Sequence, residues 1–351
     1  MFLLTLLVFL IVLGLLIFVH EAGHFFAAKL SDVKVEEFAF GFPPRLICRK
    51  RGETKYCINA FPVGGYVKML GEDEENKSPR SFSRKKTRFR FLIVVAGVIM
   101  NFILGGLLLS LGYGIGMSPI SLKDSDFSSS ERSNQIIIAQ VNEASSAQKA
   151  GLEVGDIPLG FTSVESFADF TRENLSKTIT IGIDRKGEIL EKQIQVSDDT
   201  TAPIGVGLAS FSLVKLSFFS SIYFGFKDMV LTSKNVVIAL YEIVVGLFKT
   251  GKVSEAISGP VGIFNITGQA VELGFVYIIQ LAALLSINLA IINILPFPGL
   301  DGSRALILAL EGIFRKKVIR EDVESILHMI GFIILIALIL LVTFRDILQI
   351  V

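Results

Sequence analysis

The chain has 351 residues, 51% of them hydrophobic, and a mean hydropathy of +0.62. A soluble domain of this size rarely carries so much apolar residue, and here the excess falls in blocks, the pattern of a polytopic membrane protein. A net charge of +1 implies no nucleic-acid partner, and two cysteines are too few for a disulfide framework.

The first apolar block, residues 1–28, lacks a basic leader and a small-residue cleavage site, so it reads as a retained span rather than a signal peptide. Its end carries His20-Glu21-Ala22-Gly23-His24. On a helix, positions i and i+4 share one face about 6 Å apart along the axis. Two imidazoles so placed can reach one Zn2+, with the intervening Glu21 beside the attacking water, able to take its proton and pass it to a leaving amine. Setting these groups at the end of an apolar span is costly unless they serve a site. The plain alternative is a polar cluster hydrogen-bonded to itself at the wet end of the helix.

Residues 29–88 form a β-rich loop, and between positions 29 and 90 it holds 15 Lys or Arg against 8 Asp or Glu. The positive-inside rule puts this loop in the cytoplasm and both termini outside. Residues 61–69, Phe-Pro-Val-Gly-Gly-Tyr-Val-Lys-Met, read as a hairpin or edge strand. Arg51-Gly52-Glu53-Thr54 reads as a turn, which sets Cys48 opposite Cys57. On a cytoplasmic loop these two are expected to stay as thiols. The acidic run at 72–75 reads as solvated surface.

The second span covers 89–116, and Asn101 follows Gly97 there at a spacing that suggests helix packing. Residues 134–209 have a compact α+β pattern. They contain a strand at 135–141, a Gly155-Asp156 corner, a helix at 166–175, and strands at 178–184 and 189–196 around Arg185-Lys186-Gly187-Glu188. Within 213–252, Lys and Asp interrupt a Phe-rich stretch and the apolar run at 235–248 is short, so amphipathic helices lying on the membrane surface are expected.

The third span, 276–303, ends in Asn293-Ile294-Leu295-Pro296-Phe297-Pro298-Gly299-Leu300-Asp301-Gly302. Two prolines unwind it, and irregular backbone at that depth is tolerated where it lines a site. Asp301 is the better candidate for a third zinc ligand. His328, the remaining histidine, has no partner motif. Asn293, beside the unwound stretch, is a candidate to bond a substrate backbone, while Asn288 suits either that role or a tie between helices. The fourth span covers 329–348. His24 and Asp301 reach the same depth provided 235–248 does not cross.

Together these residues resemble the site-2 protease family, in its bacterial branch of regulator-of-sigma-E-protease-like intramembrane metalloproteases. The resemblance is carried by His20 to Lys29, Val33 to Phe38, Gly41-Phe42-Pro43, Phe61 to Leu70, Pro79 to Phe82, Ala96 to Asn101, Ser258 to Ile263 and Asn293 to Gly302. It implies four transmembrane helices, a membrane-associated β-element on the cytoplasmic side and an extracytoplasmic PDZ-like module. It also implies one catalytic Zn2+ on His20, His24 and Asp301, and Glu21 as acid and base. Asn293 and Gly64-Gly65-Tyr66 would hold an unwound substrate. The expected location is a bacterial inner membrane, and the expected substrates are pre-trimmed single-span membrane proteins, either anti-sigma-factor-like regulators or remnant signal peptides.

Three departures from the family stand out. Pro158 would spoil a central strand after Asp156, Val98 stands where a proline is usual, and Ser303 replaces a second glycine. A zinc-bound scaffold without turnover and a membrane quality-control peptidase are the competing readings. The first predicts no effect of Glu21→Gln, and the second predicts cleavage of soluble unfolded chains.

Overall fold

The computed structural model describes residues 1–72, 76–128, 132–185, 187–198, 201–250 and 259–350. Asp73 to Glu75, Lys186 and Ser258, named above, lie outside them. Leu, Ile, Val and Phe, interrupted by Thr5 and Gly14, carry α1 (Phe2–Leu30), and no charge appears before the Glu21 turn. Val35–Arg51 (β1) and Thr54–Met69 (β2) follow, joined by the expected turn, and then α2 (Thr87–Ile115).

An α+β stretch comes next: β3 (Arg132–Val141), α3 (Ser146–Lys149), β4 (Ile157–Pro158), α4 (Val164–Glu173), β5 (Thr178–Arg185), β6 (Glu188–Gln195) and β7 (Val206–Val214). The chain finishes in helices α5 (Phe218–Thr250), α6 (Pro260–Leu273), α7 (Phe275–Ile294), α8 (Asp301–Phe314) and α9 (Glu321–Ile350). Among the described residues five helices are long and apolar enough to cross a membrane, within α1, α2, α5, α7 and α9.

The chain divides into two units. The first comprises residues 1–108, 229–267 and 281–351. Its helices meet backbone to backbone at glycines. A Cβ on Gly23 would strike the Ala96 carbonyl, one on Gly302 the Ile294 carbonyl, and one on Gly331 the Pro298 carbonyl. The two long strands bend so that residues 35–40 pair on one side with 55–58 and on the other with 65–69, while 45–51 pair with 54–59. The result is a four-ribbon sheet with 65–69 as one outer edge, as an edge strand there requires.

The second unit comprises residues 109–228 and 268–280. Its β-rich core packs Ile136, Ile138, Phe167, Ile181 and Ile194 between the pair β3–β7 and the sheet β4–β5–β6. Asp156 is 1% exposed, yet it is fully satisfied. Arg185 donates to both its oxygens at 2.7 and 2.8 Å, and the Glu153 N–H donates at 2.9 Å.

Several expectations need correction. Cys48 and Cys57 are bonded to each other rather than free; the register sets them directly opposite on neighbouring ribbons, with Cα atoms 4.2 Å apart, within reach of a bridge. Helix α5 is continuous over 33 residues where two shorter helices are expected. The charges that look like an interruption are neutralised locally. Asp228 accepts from the Tyr113 hydroxyl and from the backbone N–H groups of Ile120, Ser121 and Leu122, and Lys227 pairs with Asp126 at 2.7 Å. The third apolar stretch runs as α7 to Ile294 and then unwinds at its prolines, and the feature not expected is a further helix, α8, starting at Asp301. Pro158 does pair, in a two-residue strand at the edge of its sheet, where proline is tolerated.

Candidate metal centre

One turn of α1 supplies His20, Glu21 and His24, and the first residue of α8 supplies Asp301. The loop between α7 and α8 turns at Gly299, whose φ of 94° is left-handed and suits glycine. That loop is held from outside by α9. Gly331 lets the Pro298 carbonyl approach, and the Gly299 N–H donates to His328 Nδ1 at 3.3 Å. His328 therefore supports the loop, and it lies outside the one His/Cys/Asp/Glu group among the described residues able to share a metal ion, which is His20, His24 and Asp301.

The three facing atoms form a small triangle. His20 Nε2 lies 3.0 Å from Asp301 Oδ2, His24 Nε2 lies 3.3 Å from it, and the two nitrogens are 3.2 Å apart. Ligands at zinc bond lengths of about 2.0–2.1 Å in a tetrahedron stand roughly 3.3 Å from one another. The triangle is thus the size of one face of a zinc tetrahedron, with the fourth corner left for water or substrate. Asp301 Oδ2 is buried without a hydrogen bond. A buried carboxylate oxygen left in that condition costs free energy unless a cation meets it. The donor set and the orphaned oxygen both fit zinc.

Each imidazole is fixed from behind by α2. His24 Nδ1 lies 2.8 Å from the Ile93 carbonyl, so Nδ1 carries the proton and Nε2 keeps its lone pair for a metal. His20 Nδ1 lies 3.3 Å from the amide of Asn101, which is fully buried and whose Oδ1 has no partner in its present orientation. Amide oxygen and nitrogen exchange by a half-turn. With His20 Nε2 on a metal, Nδ1–H must donate, and turning Oδ1 towards it gives both groups a bond. The Gly97-to-Asn101 spacing suggests packing alone, and only the structure shows that this amide faces His20. Gly97 is the companion feature, since a Cβ there would strike His24.

A cavity of about 230 Å3 opens beside the triangle, lined by Ile17, His20, Glu21, Gly64, Gly65 and Asn293, among others. A Cβ on Gly65 would stand 3.0 Å from the Glu21 side chain. Tyr66 and Asn288 are not part of this lining. Tyr66 donates instead to Glu37 at 2.6 Å, and the buried Oδ1 of Asn288 makes no hydrogen bond. Below the helices, Arg304, less than one turn after Asp301, pairs with Glu72 at 2.5 Å. Glu53 joins Lys29 at 2.6 Å and Arg80 at 2.7 Å. Hydrogen bonds from Arg80 and Lys29 pull the Glu53 carboxyl down to about 2.

The sequence matches the profile of peptidase family M50 over residues 8–338. It is 34% identical to a Clostridium acetobutylicum protein named provisionally as a zinc metalloprotease, over 95% of this chain and 94% of the other. It is 30% identical to the zinc metalloprotease RasP of Shouchella clausii, over 98% of each. It is also 29% identical to the regulator of sigma-W protease RasP of Bacillus subtilis, over 99% of each.

Proposed function

The chain belongs to peptidase family M50 and is a zinc metalloprotease, and from that premise we propose that it cuts single-span membrane proteins within the bilayer, with His20, His24 and Asp301 holding the metal and Glu21 as acid and base. The observation that carries this reading is the triangle of His20, His24 and Asp301 with Glu21 on the same helical turn, at the end of a span. Zinc held there supplies Lewis-acid polarisation of the peptide carbonyl and of the attacking water.

The remaining work falls to the chain itself. Glu21 takes a proton from water and returns it to the departing amine. Asn293 lines the same cavity with amide donors suited to a substrate backbone. The edge ribbon 65–69 offers unpaired backbone groups to an extended substrate, returning hydrogen bonds that it loses on unwinding. Gly65 keeps that lane open by having no side chain.

The protein is a bacterial membrane protein with several apolar helices. We read four of them as crossings, with the β-element and the active site towards the cytoplasm, a compartment that would reduce the Cys48–Cys57 bond, and residues 134–209 as an outer PDZ-like module. Helix α5 is read as lying along the outer surface. In support, Leu216 just before it bonds Tyr113 near the end of α2. Gly259, shortly after it, bonds Asp346 near the end of α9, and Phe264 packs on Phe2 and Phe9 at the start of α1. In a four-crossing topology all three of those helix ends lie on one side. Anti-sigma-factor-like regulators and remnant signal peptides are the substrate classes that suit such a site.

The test is cleavage of a trimmed single-span reporter by wild type and Glu21→Gln, with zinc measured in both. A fall of roughly 10^2–10^4-fold with zinc retained is expected for loss of an acid–base group. Equal cleavage by both proteins overturns the assignment of Glu21.

A further inference from the structure

Beyond the proteolytic site, two adjoining cavities on the far side of α1 share residues but differ in chemistry. One, of about 810 Å3, is lined by Ile11, Gly14, Leu15 and Phe18 of α1 and by Ile47 and Ile58 of the sheet, among others, and Arg49 and Tyr56 also border it. The other, of about 510 Å3, is lined by Arg49, Lys50, Arg51 and Tyr56. An apolar trough thus passes through Arg49 and Tyr56 into a basic one.

Their depth can be read along α1. Glu53, at the sheet's turn, pairs with Lys29, Phe38 packs on Phe18 at 5.8 Å, and Phe40 abuts Gly14. At 1.5 Å per residue, positions 29 to 14 cover on the order of 22 Å. The apolar trough therefore lies at hydrocarbon depth, and the basic one lies nearer the interface marked by Lys29.

The cations there lack anions. Among the described residues no acidic side chain pairs with Arg49, Lys50 or Arg51, the cations that line the basic trough, and Glu53 is committed to Lys29 and Arg80.

We infer that these two cavities form a binding site for one anionic phospholipid, with an acyl chain against Ile11, Leu15, Ile47 and Ile58 and the phosphate on Arg49, Lys50 and Arg51. The inference rests on α1 lying in the bilayer and is independent of the catalytic assignment. Bound lipid would neutralise the run Arg49-Lys50-Arg51 and brace the sheet whose opposite edge borders the active-site cavity.

The experiment is native mass spectrometry of the full chain, taken from bilayers of equal phosphatidylglycerol and phosphatidylcholine, with zinc content read on the same samples. Wild type is expected to retain phosphatidylglycerol preferentially. Each of Arg49→Gln, Lys50→Gln and Arg51→Gln should lower that preference by up to about fivefold, from roughly one interfacial cation's attraction. The triple substitution should abolish it, and Arg49→Lys with Arg51→Lys should keep it. Equal retention of both lipids by wild type overturns the proposal, as does a preference that survives the triple substitution in zinc-loaded protein.

Discussion

Asp156 and Asp301 each place a carboxylate oxygen out of reach of solvent, one in the β-rich unit and one at the start of α8. Asp156 has a complete set of donors, with Arg185 gripping both oxygens and a backbone N–H added. Asp301 points its buried Oδ2 at two histidine nitrogens, and that oxygen makes no hydrogen bond. The difference separates structure from function on physical grounds. A buried charge satisfied by the protein stabilises a fold, and a buried charge left open is held for something the protein must acquire.

The sharpest way to break this contrast is Asp301→Asn. Zinc content, measured by elemental analysis, should fall from one per chain towards zero, and reporter cleavage should fall below detection. The β-rich unit should keep its wild-type protease resistance. Asp156→Asn should do the reverse. Breaking a buried ion pair costs about 3–5 kcal/mol, so limited proteolysis should open residues 134–209 while the zinc content of the membrane unit is unchanged. Loss of zinc in Asp156→Asn would mean that the two carboxylates are not independent.

Asn101→Leu probes the same contrast one step back from the metal. Removing a group that orients a metal-bound imidazole typically lowers affinity by about 10–100-fold. A chelator titration should find that loss for Asn101→Leu and recover much of it in Asn101→Asp, whose carboxylate can accept from His20 Nδ1–H. Unchanged zinc affinity in Asn101→Leu would return Asn101 to a packing role.

The smallest effect belongs to Glu53. Its carboxyl is held at about 2 in the folded chain against an ordinary 4.5. The unfolded chain therefore binds more protons across that interval, and stability should fall as pH drops from about 4.5 to about 2. The cluster is partly exposed, so the contribution is at most about 1 kcal/mol. Glu53→Gln should flatten that part of an acid-unfolding curve, and an unchanged curve would remove Glu53 from the account.

Much of the metal corner was legible because helical periodicity fixes it. His20 and His24 must share a face, and the prolines before Asp301 must unwind a span. Asn101 was not legible, because an amide on an apolar helix reads the same whether it ties helices or orients a ligand. The continuity of α5 was hidden for a related reason. Asp228 looks like a break until the donors of Tyr113 and residues 120–122 are known to meet it, and those lie more than a hundred positions earlier. Counting from the turn at 51–54 was enough to set Cys48 against Cys57. The double pairing of 35–40 was not, because a bend that lets one ribbon serve two neighbours leaves no mark in strand alternation.

The order of the ligands along the chain has a consequence for biogenesis. His20, His24 and Asn101 leave the ribosome early, whereas Asp301 follows Asn101 by 200 residues. At synthesis rates of about 5–20 residues per second, that gap is roughly 10–40 s. On the proposed ligand set, a nascent chain carries two oriented imidazoles through this interval without the carboxylate that completes the centre. Hydrolytic competence is thereby deferred until α8 follows α7 out of the ribosome, when α1, α2 and α7, which enclose the site, are already made.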